Sequence, residues 1–310
     1  MNNKLIGTIA ILTLFLAGCS NGSQVASVKS FIGGTDSIEF DFVEGSPPSE
    51  VFDQGNFPFD VTLNLENKGE FDVVKDKINV TLKGFFPPDF DNPGTTKNPD
   101  ENLDRSFIDS DGKTVPGTVT FLTFPGFNFK GALPANNEFT VRAELCYLYG
   151  FTGQSDVCIL DDLTEKKDDV CIVNEKKSAE TSSSPVQIEN FEESVAGTDK
   201  IAFNFEVVHR GTGAISKRAS GCDDEQVNKD KVFLQIESGI PGLTCSGIAE
   251  GNATSGFTTL FGGKRLIRCT QDTTSQEAQG KDFEKKITIK GDFDYKAHKQ
   301  RNLLVKHTSS

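Results

Sequence analysis

The sequence contains no tryptophan, a single methionine and three histidines, and no motif in it selects a catalytic residue. His209, His298 and His307 each stand alone, as structural or solvated histidines usually do. The GxSxG, HExxH, P-loop and GxGxxG patterns of common enzyme families are also missing. Aspartate and glutamate are abundant, so an acid-pair hydrolase is the catalytic alternative, but no spacing selects one pair. We therefore expect a non-catalytic protein with no cofactor and no metal site.

No stretch of the chain reaches the roughly 20 apolar residues that a membrane-spanning helix needs. The apolar segment at residues 5–18 follows Lys4 and has the length of a signal-peptide core. It ends in Leu16-Ala17-Gly18-Cys19, which resembles the lipobox of prokaryotic lipoproteins. The resemblance implies cleavage before Cys19 and acylation of that residue. The alternative is an ordinary signal peptide that happens to contain a cysteine.

These features predict the arrangement of the amino-terminal region. Residues 1–18 form the signal peptide, and residues 19–29, mostly small and polar, form a tether. The lipid on Cys19 is the expected attachment to the membrane. The protein is then predicted to lie on the extracytoplasmic face of the cell membrane.

Positive charge is scarce in the first half of the chain. Residues 20–174 contain 26 acidic and 12 basic residues, a net charge of −14, whereas the whole chain carries −13. This excess of negative charge argues against nucleic-acid binding and against a chain that lies flat on an anionic membrane. Residues 295–301 are basic, and we interpret them as part of a solvated edge strand.

Six of the seven cysteines follow Cys19, and an even number in an exported chain indicates disulfides. A metal site is the weaker alternative, because the sequence has no CxxC pair and no Cys/His cluster. The spacing favours one disulfide across a hairpin between the first two cysteines and another across a hairpin between the last two. The two cysteines that remain lie on either side of the predicted domain boundary and would bridge the two domains. The predicted pairs are Cys146 with Cys158, Cys245 with Cys269, and Cys171 with Cys222.

Period-two alternation of apolar residues dominates the sequence and predicts half-buried strands. The clearest runs are residues 38–42, 59–65, 78–82, 119–121, 139–145, 201–205 and 287–289, while residues 232–236 are more continuously apolar and also predict a strand. Residues 175–186 are polar and predict a linker between two strand-rich halves. The expected fold is all-β, with two immunoglobulin-like β-sandwich domains at residues 30–174 and 187–308.

Two internal matches compete as evidence of a duplication. GTDSIEFDF at residues 34–42 returns as GTDKIAFNF at residues 197–205, an offset of 163. Residues 59–69 also align with residues 203–213, an offset of 144. The second match preserves a strand followed by a polar turn that ends in glycine, where a positive φ is expected. It therefore accounts for more structure than the first.

The segment FPFDVTLNLENKGEFDV, residues 57–73, resembles the strand and Asn-x-Gly turn of CARDB-like, immunoglobulin-like domains of prokaryotic surface proteins. Together with Pro47-Pro48 upstream and the three cysteines that begin at Cys146 downstream, the chain is similar to uncharacterised two-domain surface lipoproteins of archaea with small genomes. In the second half Gly211-Thr212-Gly213 stands in place of Asn-x-Gly. The resemblance implies a sandwich fold at the cell surface and supplies no catalytic residue.

Three further patterns have both a functional and a structural interpretation. Residues 109–113 begin like a calcium loop but lack its later ligands, so we interpret them as a turn. The aromatic segment at residues 85–90 either forms a recognition surface or, as we favour, folds into the core. The sequons place candidate glycosylation sites at Asn79 and Asn252, with a further match at Asn21.

The expected function is that of a lipid-anchored, non-catalytic cell-surface protein that serves adhesion or the assembly of surface proteins. Its partners would be the membrane, through the lipid on Cys19, and other surface proteins. The alternative is an extracytoplasmic protein that binds a small ligand or an ion, or a surface hydrolase.

Overall fold

The computed structural model describes residues 29–91, 93–163, 170–274 and 280–309. The predicted signal peptide, Cys19, Asn21 and most of the predicted tether lie outside the described residues. The described ranges contain 19 strands and two short 3₁₀ turns, Lys75–Lys77 and Pro87–Phe90. The strands are β1 (Ile38–Phe42), β2 (Glu50–Phe52), β3 (Phe59–Asn67), β4 (Ile78–Lys83), β5 (Thr96–Lys97), β6 (Phe107–Ile108), β7 (Thr114–Val115), β8 (Val119–Phe127), β9 (Asn137–Ile159), β10 (Glu175–Lys176), β11 (Ala179–Thr181), β12 (Val186–Gly197), β13 (Lys200–His209), β14 (Ala214–Ser216), β15 (Lys231–Glu237), β16 (Leu243–Ser246), β17 (Ser255–Thr259), β18 (Lys264–Asp272) and β19 (Phe283–Lys306).

The strands form three large sheets and one small hairpin. Sheet 1 has the order β1-β3-β8, and sheet 2 has the order β10-β12-β13-β18-β16. Sheet 3 has the order β17-β15-β19-β9-β4-β5, with β11, β14 and β2 paired alongside, and β6 pairs with β7. The pairs are antiparallel, except that β2 runs parallel to β19. The all-β prediction is therefore confirmed, and each predicted strand run lies in a strand.

Alternating burial explains why these segments are strands. In β1 the apolar side chains of Ile38, Phe40 and Phe42 are buried, while the intervening carboxylates are exposed. The same alternation in β3 and β4 directs one apolar face of each strand into a continuous core. Because a strand places successive side chains on opposite faces, this pattern fixes which face of each sheet is covered.

The molecule contains two similar sandwiches. In the first, β3 lies between β1 and β8, and β4 pairs with β9. In the second, β13 lies between β12 and β18, and β15 pairs with β19. The offset of 144 residues thus places β3 on its counterpart β13. The offset of 163 places the edge strand β1 on the central strand β13, so the GTDSIEFDF match does not join equivalent strands.

Two long strands run through both sandwiches. β9 and β19 pair over 23 residues, from Ile159 with Phe283 to Asn137 with Val305. The first sandwich contains residues 137–149 of β9 and residues 295–306 of β19. The remaining residues of both strands belong to the second sandwich. The centre of this ladder is the pair Leu148 with Asp294, and we call the region around it the waist. The second half of the sequence therefore completes the first sandwich.

The segment predicted to be a linker is folded. Residues 175–176 pair with β12, and residues 179–181 pair with β9. The three serines at positions 182–184 are buried. The linker prediction at residues 175–186 is therefore wrong. Polar composition suggested exposure, but backbone pairing and hydroxyl hydrogen bonds, such as that from the Thr152 N–H to Ser182 Oγ at 2.9 Å, satisfy the segment inside the fold.

The six cysteines form three disulfides: Cys146–Cys222, Cys158–Cys171 and Cys245–Cys269. The predicted Cys245–Cys269 pair is confirmed, and the other two predicted pairs are wrong. Cys146 and Cys158 lie on the same strand, β9, so they cannot face each other across a hairpin. Disulfides of this number are typical of proteins that fold in an oxidising, extracytoplasmic compartment. Within the described ranges, no helix is long and apolar enough to span a membrane.

Candidate functional site

A cleft of about 670 Å³ opens at the waist, where both sandwiches contribute side chains. We call it the waist cleft. One wall is the chain that enters β1, a second is the turn after β13, and the floor is the middle of β19. Its lining residues are Thr35, Asp36, Ser37, Ile38, Glu39, Phe40, Lys68, Arg210, Gly211, Thr212, Gly213, Tyr295, Ala297, His298 and Lys299.

All three tyrosines of the chain cluster beneath this cleft. Tyr147 contacts Tyr149 and Tyr295 edge-on, with ring centroids 5.7 and 5.8 Å apart. The Tyr147 hydroxyl shares a hydrogen bond of 2.7 Å with Ser37 Oγ, and Tyr295 Oη accepts the Gly213 N–H at 2.7 Å. Burial raises the pKa of each of the three phenols above its usual value. The hydroxyls therefore act as neutral hydrogen-bonding groups at physiological pH.

Glycines allow the two turns of the waist to pack directly on these tyrosines. A Cβ added at Gly69 would lie 1.8 Å from Tyr149 Oη, and one at Gly211 would lie 2.2 Å from Tyr295 Oη. The positive φ predicted at the end of the turn is not found at Gly69 or Gly213. Close approach to an aromatic ring, and not backbone conformation, explains the glycine there. Gly213, which the offset of 144 aligns with Gly69, also approaches Tyr295, because an added Cβ would lie 2.7 Å from Cζ of that ring.

Basic side chains line the mouth of the cleft together with the carboxylates of Asp36 and Glu39. Lys68 forms ion pairs with Glu39 and Glu66, and the hydrogen bond that it donates to the Glu39 carboxylate raises the pKa of Lys68. Arg210 is held by both oxygens of Glu189 at 2.6 and 2.7 Å. His298 and Lys299 are exposed and make no ion pair with any described residue. Two basic side chains therefore remain available to a ligand.

The arrangement is suited to binding. It offers hydroxyl and backbone groups at the base, and both basic and acidic side chains at the rim. A larger, shallower groove of about 770 Å³ lies between the turn at residues 238–241 and Lys285 of β19. We favour the waist cleft as the candidate site because side chains from both repeats form it.

The candidate glycosylation sites are both exposed. Asn79 lies on β4, opposite Cys146 in the ladder, and its Oδ1 accepts a hydrogen bond of 3.1 Å from Thr81 Oγ1. Asn252 lies in the turn before β17, where its Oδ1 accepts the N–H groups of Thr254 and Ser255 at 2.9 and 2.8 Å. Neither residue belongs to the waist cleft.

The three histidines lie in different places. His209 packs edge-on against Tyr295, with ring centroids 5.9 Å apart, and burial lowers the pKa of its imidazole. His307 places Nδ1 3.0 Å from Oδ2 of the buried Asp53, which also accepts the Thr308 N–H and so holds the end of the chain. His298 alone lines the cleft. No cluster of metal-ligating side chains is found within the described residues.

The two other ambiguous patterns are resolved by the structure. Asp109 accepts the N–H groups of Asp111 and Lys113 in the turn between β6 and β7, as the turn interpretation predicts. In the aromatic segment Phe90 is buried and Phe85 is half-buried against the core, whereas Phe86 is 63% exposed. The core interpretation is confirmed for Phe90 and Phe85 and is wrong for Phe86.

Sequence reasoning missed the tyrosine cluster, although a signal for it existed. The chain has only three tyrosines, and two of them alternate on one strand as Tyr147 and Tyr149. Alternation placed them on one face of a sheet. Their contact with Tyr295 depends on the pairing of β9 with β19, which local patterns do not specify.

Comparisons with known proteins find little likeness. No family model matches the chain, and no curated protein matches it. The solved structure described as "Enterococcal surface protein, partial N-terminal region" covers 84% of each chain at 8% identity, with a TM-score of 0.17. "Structure of infectious bursal disease virus Gx strain" covers 85% of this chain and 80% of that chain at 11% identity, with a TM-score of 0.10. Likeness at these scores carries no functional inference.

Proposed function

We propose that this protein is a lipid-anchored, non-catalytic protein of the extracytoplasmic membrane face that binds other surface proteins in adhesion or assembly. The observation that carries the proposal is the pairing of all six cysteines that follow Cys19. An oxidising compartment favours such pairing, and Leu16-Ala17-Gly18-Cys19 after an apolar segment supplies both export and anchorage.

The anchor sets how far the folded part stands from the membrane. Residues 19–29 connect the acylated cysteine to the first residues of the fold. Fully extended, they reach at most about 35 Å. The chain enters the fold beside the waist cleft, because Thr35 and Asp36 line it. The cleft is therefore held close enough to the membrane to meet neighbouring membrane-anchored proteins.

The waist cleft supports binding as the activity. The hydroxyl groups of Ser37, Tyr147 and Tyr295 are engaged with one another or with a backbone N–H group, and Lys299 makes no ion pair with any described residue. These contacts support a role as a binding surface. Asn79 and Asn252, exposed on other faces, would carry glycans without covering the cleft.

Metabolic labelling with a radioactive fatty acid tests the anchor. We expect label in the wild-type protein and none in the Cys19→Ala variant, which should also appear in the soluble extracytoplasmic fraction. Asn21→Gln, which changes the same segment without removing the thiol, is the matched control and should label as wild type does. Equal labelling of wild type and Cys19→Ala would contradict the proposal.

Photo-crosslinking on intact cells tests the assembly function. A photo-crosslinking amino acid at position 298 lies in the cleft, and one at position 111 lies in the exposed turn between β6 and β7. We expect discrete light-dependent adducts from position 298 and none from position 111. An absence of adducts from both positions would count against a role in assembly.

A further inference from the structure

One edge of β19 is open between two short strands. On the side opposite β9, β14 pairs with residues 294–296 and β2 pairs with residues 304–306. Among the described residues, no strand pairs with residues 297–303 on that side. We call this stretch the open edge. It begins within the waist cleft, which Ala297, His298 and Lys299 line.

The open edge presents unpaired backbone groups in a known order. The Leu304 N–H donates to Ser49 O at 3.0 Å, and Lys306 O accepts the Asp53 N–H at 3.0 Å, so even-numbered residues face this side. Alternate residues of a strand direct their backbone groups to opposite edges. The N–H and C=O groups of three exposed residues therefore face the opening: His298, Gln300 and Asn302.

The charge of the open edge is one-sided. Residues 297–303 read AHKQRNL and contain no acidic residue. Lys299 is exposed, whereas the Arg301 guanidinium donates hydrogen bonds to the carbonyl oxygens of Phe42 and Val43, lies 4.0 Å from Asp41 Oδ1 and keeps 35% of its side-chain surface in solvent. Cross-strand neighbours of opposite charge stabilise a pair of strands, and like charges destabilise it. Two copies of this edge would bring cations together, which disfavours a second copy as the occupant.

We infer that the open edge is the binding site for an extended acidic peptide segment of a partner protein, which adds a strand to sheet 3 between β14 and β2. Such strand addition gains affinity from main-chain hydrogen bonds and specificity from alternate side chains. The inference rests on the proposed assembly function and gives it a site and a partner chemistry. The open edge spans seven residues, about 23 Å at 3.3 Å per residue.

Binding of the synthetic peptide acetyl-TEVETDV-amide to the detergent-purified full chain, measured by calorimetry, tests the inference. The decisive variant is Gln300→Pro, because it removes an N–H that faces the opening and leaves the β9 ladder intact. We expect it to weaken binding at least about tenfold. Gln300→Ala keeps the N–H and should bind as wild type does. Circular dichroism and the melting temperature of both variants verify folding.

Charge provides an independent measurement if Gln300→Pro proves unstable. Lys299→Glu should weaken the peptide several-fold, and raising the salt concentration should weaken wild-type binding. The peptide with lysine in place of its acidic residues should not bind. Equal binding of the acidic and lysine peptides, or no binding at all to wild type, would overturn the inference.

Two other occupants give distinct results. Concentration-dependent self-association that Gln300→Pro abolishes would assign the edge to a second copy. The second alternative is that residues 19–28 occupy the open edge. A protease site inserted at residue 28 allows these residues to be removed, and tighter peptide binding after cleavage would assign the open edge to the tether. Either result would overturn the inference that an acidic segment of a partner protein binds the open edge.

The crosslinking experiment separates this inference from the proposed function. Adducts at position 298 that persist unchanged in Gln300→Pro would leave the assembly function standing and reject the open edge as its site. Peptide binding in the absence of any adduct on cells would support the open edge as a peptide-binding site and would contradict the assembly function.

Discussion

Removal of the Cys146–Cys222 disulfide, by Cys146→Ala with Cys222→Ala, is expected to lower the free energy of unfolding by about 4 kcal/mol. This bridge joins residues 76 apart in sequence. It ties β9 to the segment after β14, which crosses the outer face of sheet 3. There the buried Asp294 accepts the N–H groups of Ala219 and Gly221 at 3.0 and 2.8 Å. Because a long loop has the most entropy to lose, its closure should stabilise the fold most.

The Cys158–Cys171 bridge is the matched comparison, since it closes a loop of only 13 residues in sequence separation. Its removal by alanine substitutions should cost about 3 kcal/mol by the same chain-entropy relation. Guanidinium unfolding of both double variants and wild type, followed by circular dichroism, measures the difference. If the short-loop variant loses as much stability as the long-loop variant or more, entropy of the unfolded chain is not the main contribution.

The second large effect concerns Glu193, a carboxylate buried between β12 and β9. Its two oxygens lie 3.0 and 2.9 Å from the Cys158 backbone nitrogen, which donates to them, and Oε2 lies 3.6 Å from Lys177 Nζ. The Glu193 side chain is 0% exposed. Burial raises the pKa of this carboxyl to about 8, against the opposing influence of the Cys158 N–H and Lys177.

The direction of the pH effect follows from this pKa. A glutamate in the unfolded chain titrates near 4.3, so the folded state holds the proton more tightly. The resulting stability is fully present below about pH 4 and is lost as the pH rises through the folded-state pKa of about 8. We therefore expect the free energy of unfolding to fall by a few kcal/mol between pH 5 and pH 9, at up to about 1.4 kcal/mol per pH unit.

Glu193→Gln tests this expectation, because the amide has the size of the carboxyl but does not titrate. The variant should match wild type near pH 5 and exceed its stability by a few kcal/mol at pH 9. Glu192→Gln, at the exposed neighbouring position, is the control and should follow the wild-type curve. Urea unfolding from pH 5 to pH 9 measures both. A Glu193→Gln curve parallel to that of wild type would show that this carboxyl does not control the pH dependence.

Local pattern predicted much of the secondary structure. Alternation in residues 38–42 or 78–82 needs no distant partner to show which side chains will be buried, because the period of a strand is a property of its own backbone. Strand ends were less well predicted: residues 139–145 are part of the 23-residue strand β9. The middle of β9 is polar and contains glycine, and this composition by itself predicts a turn.

The same limit explains the errors in the cysteine pairs and the linker. The composition of the residues between Cys146 and Cys158 predicts a hairpin turn, but Gly150 pairs within a continuous ladder opposite Asp292. Gly150 is buried, and an added Cβ would lie 2.5 Å from the Phe71 ring, so a larger residue would not fit there. A glycine required for close packing and a glycine required for a turn look identical in sequence.

By itself the sequence determined an all-β chain, an even set of cysteines suited to disulfides and an internal repeat, because strand period, cysteine number and strand spacing are local properties. Tertiary structure decided that β9 and β19 run through both sandwiches, which cysteines meet, and that three tyrosines gather at the waist. It also left residues 297–303 without a partner strand among the described residues. These features depend on which distant strands pair, and that choice is made by packing of whole faces, which no single segment encodes.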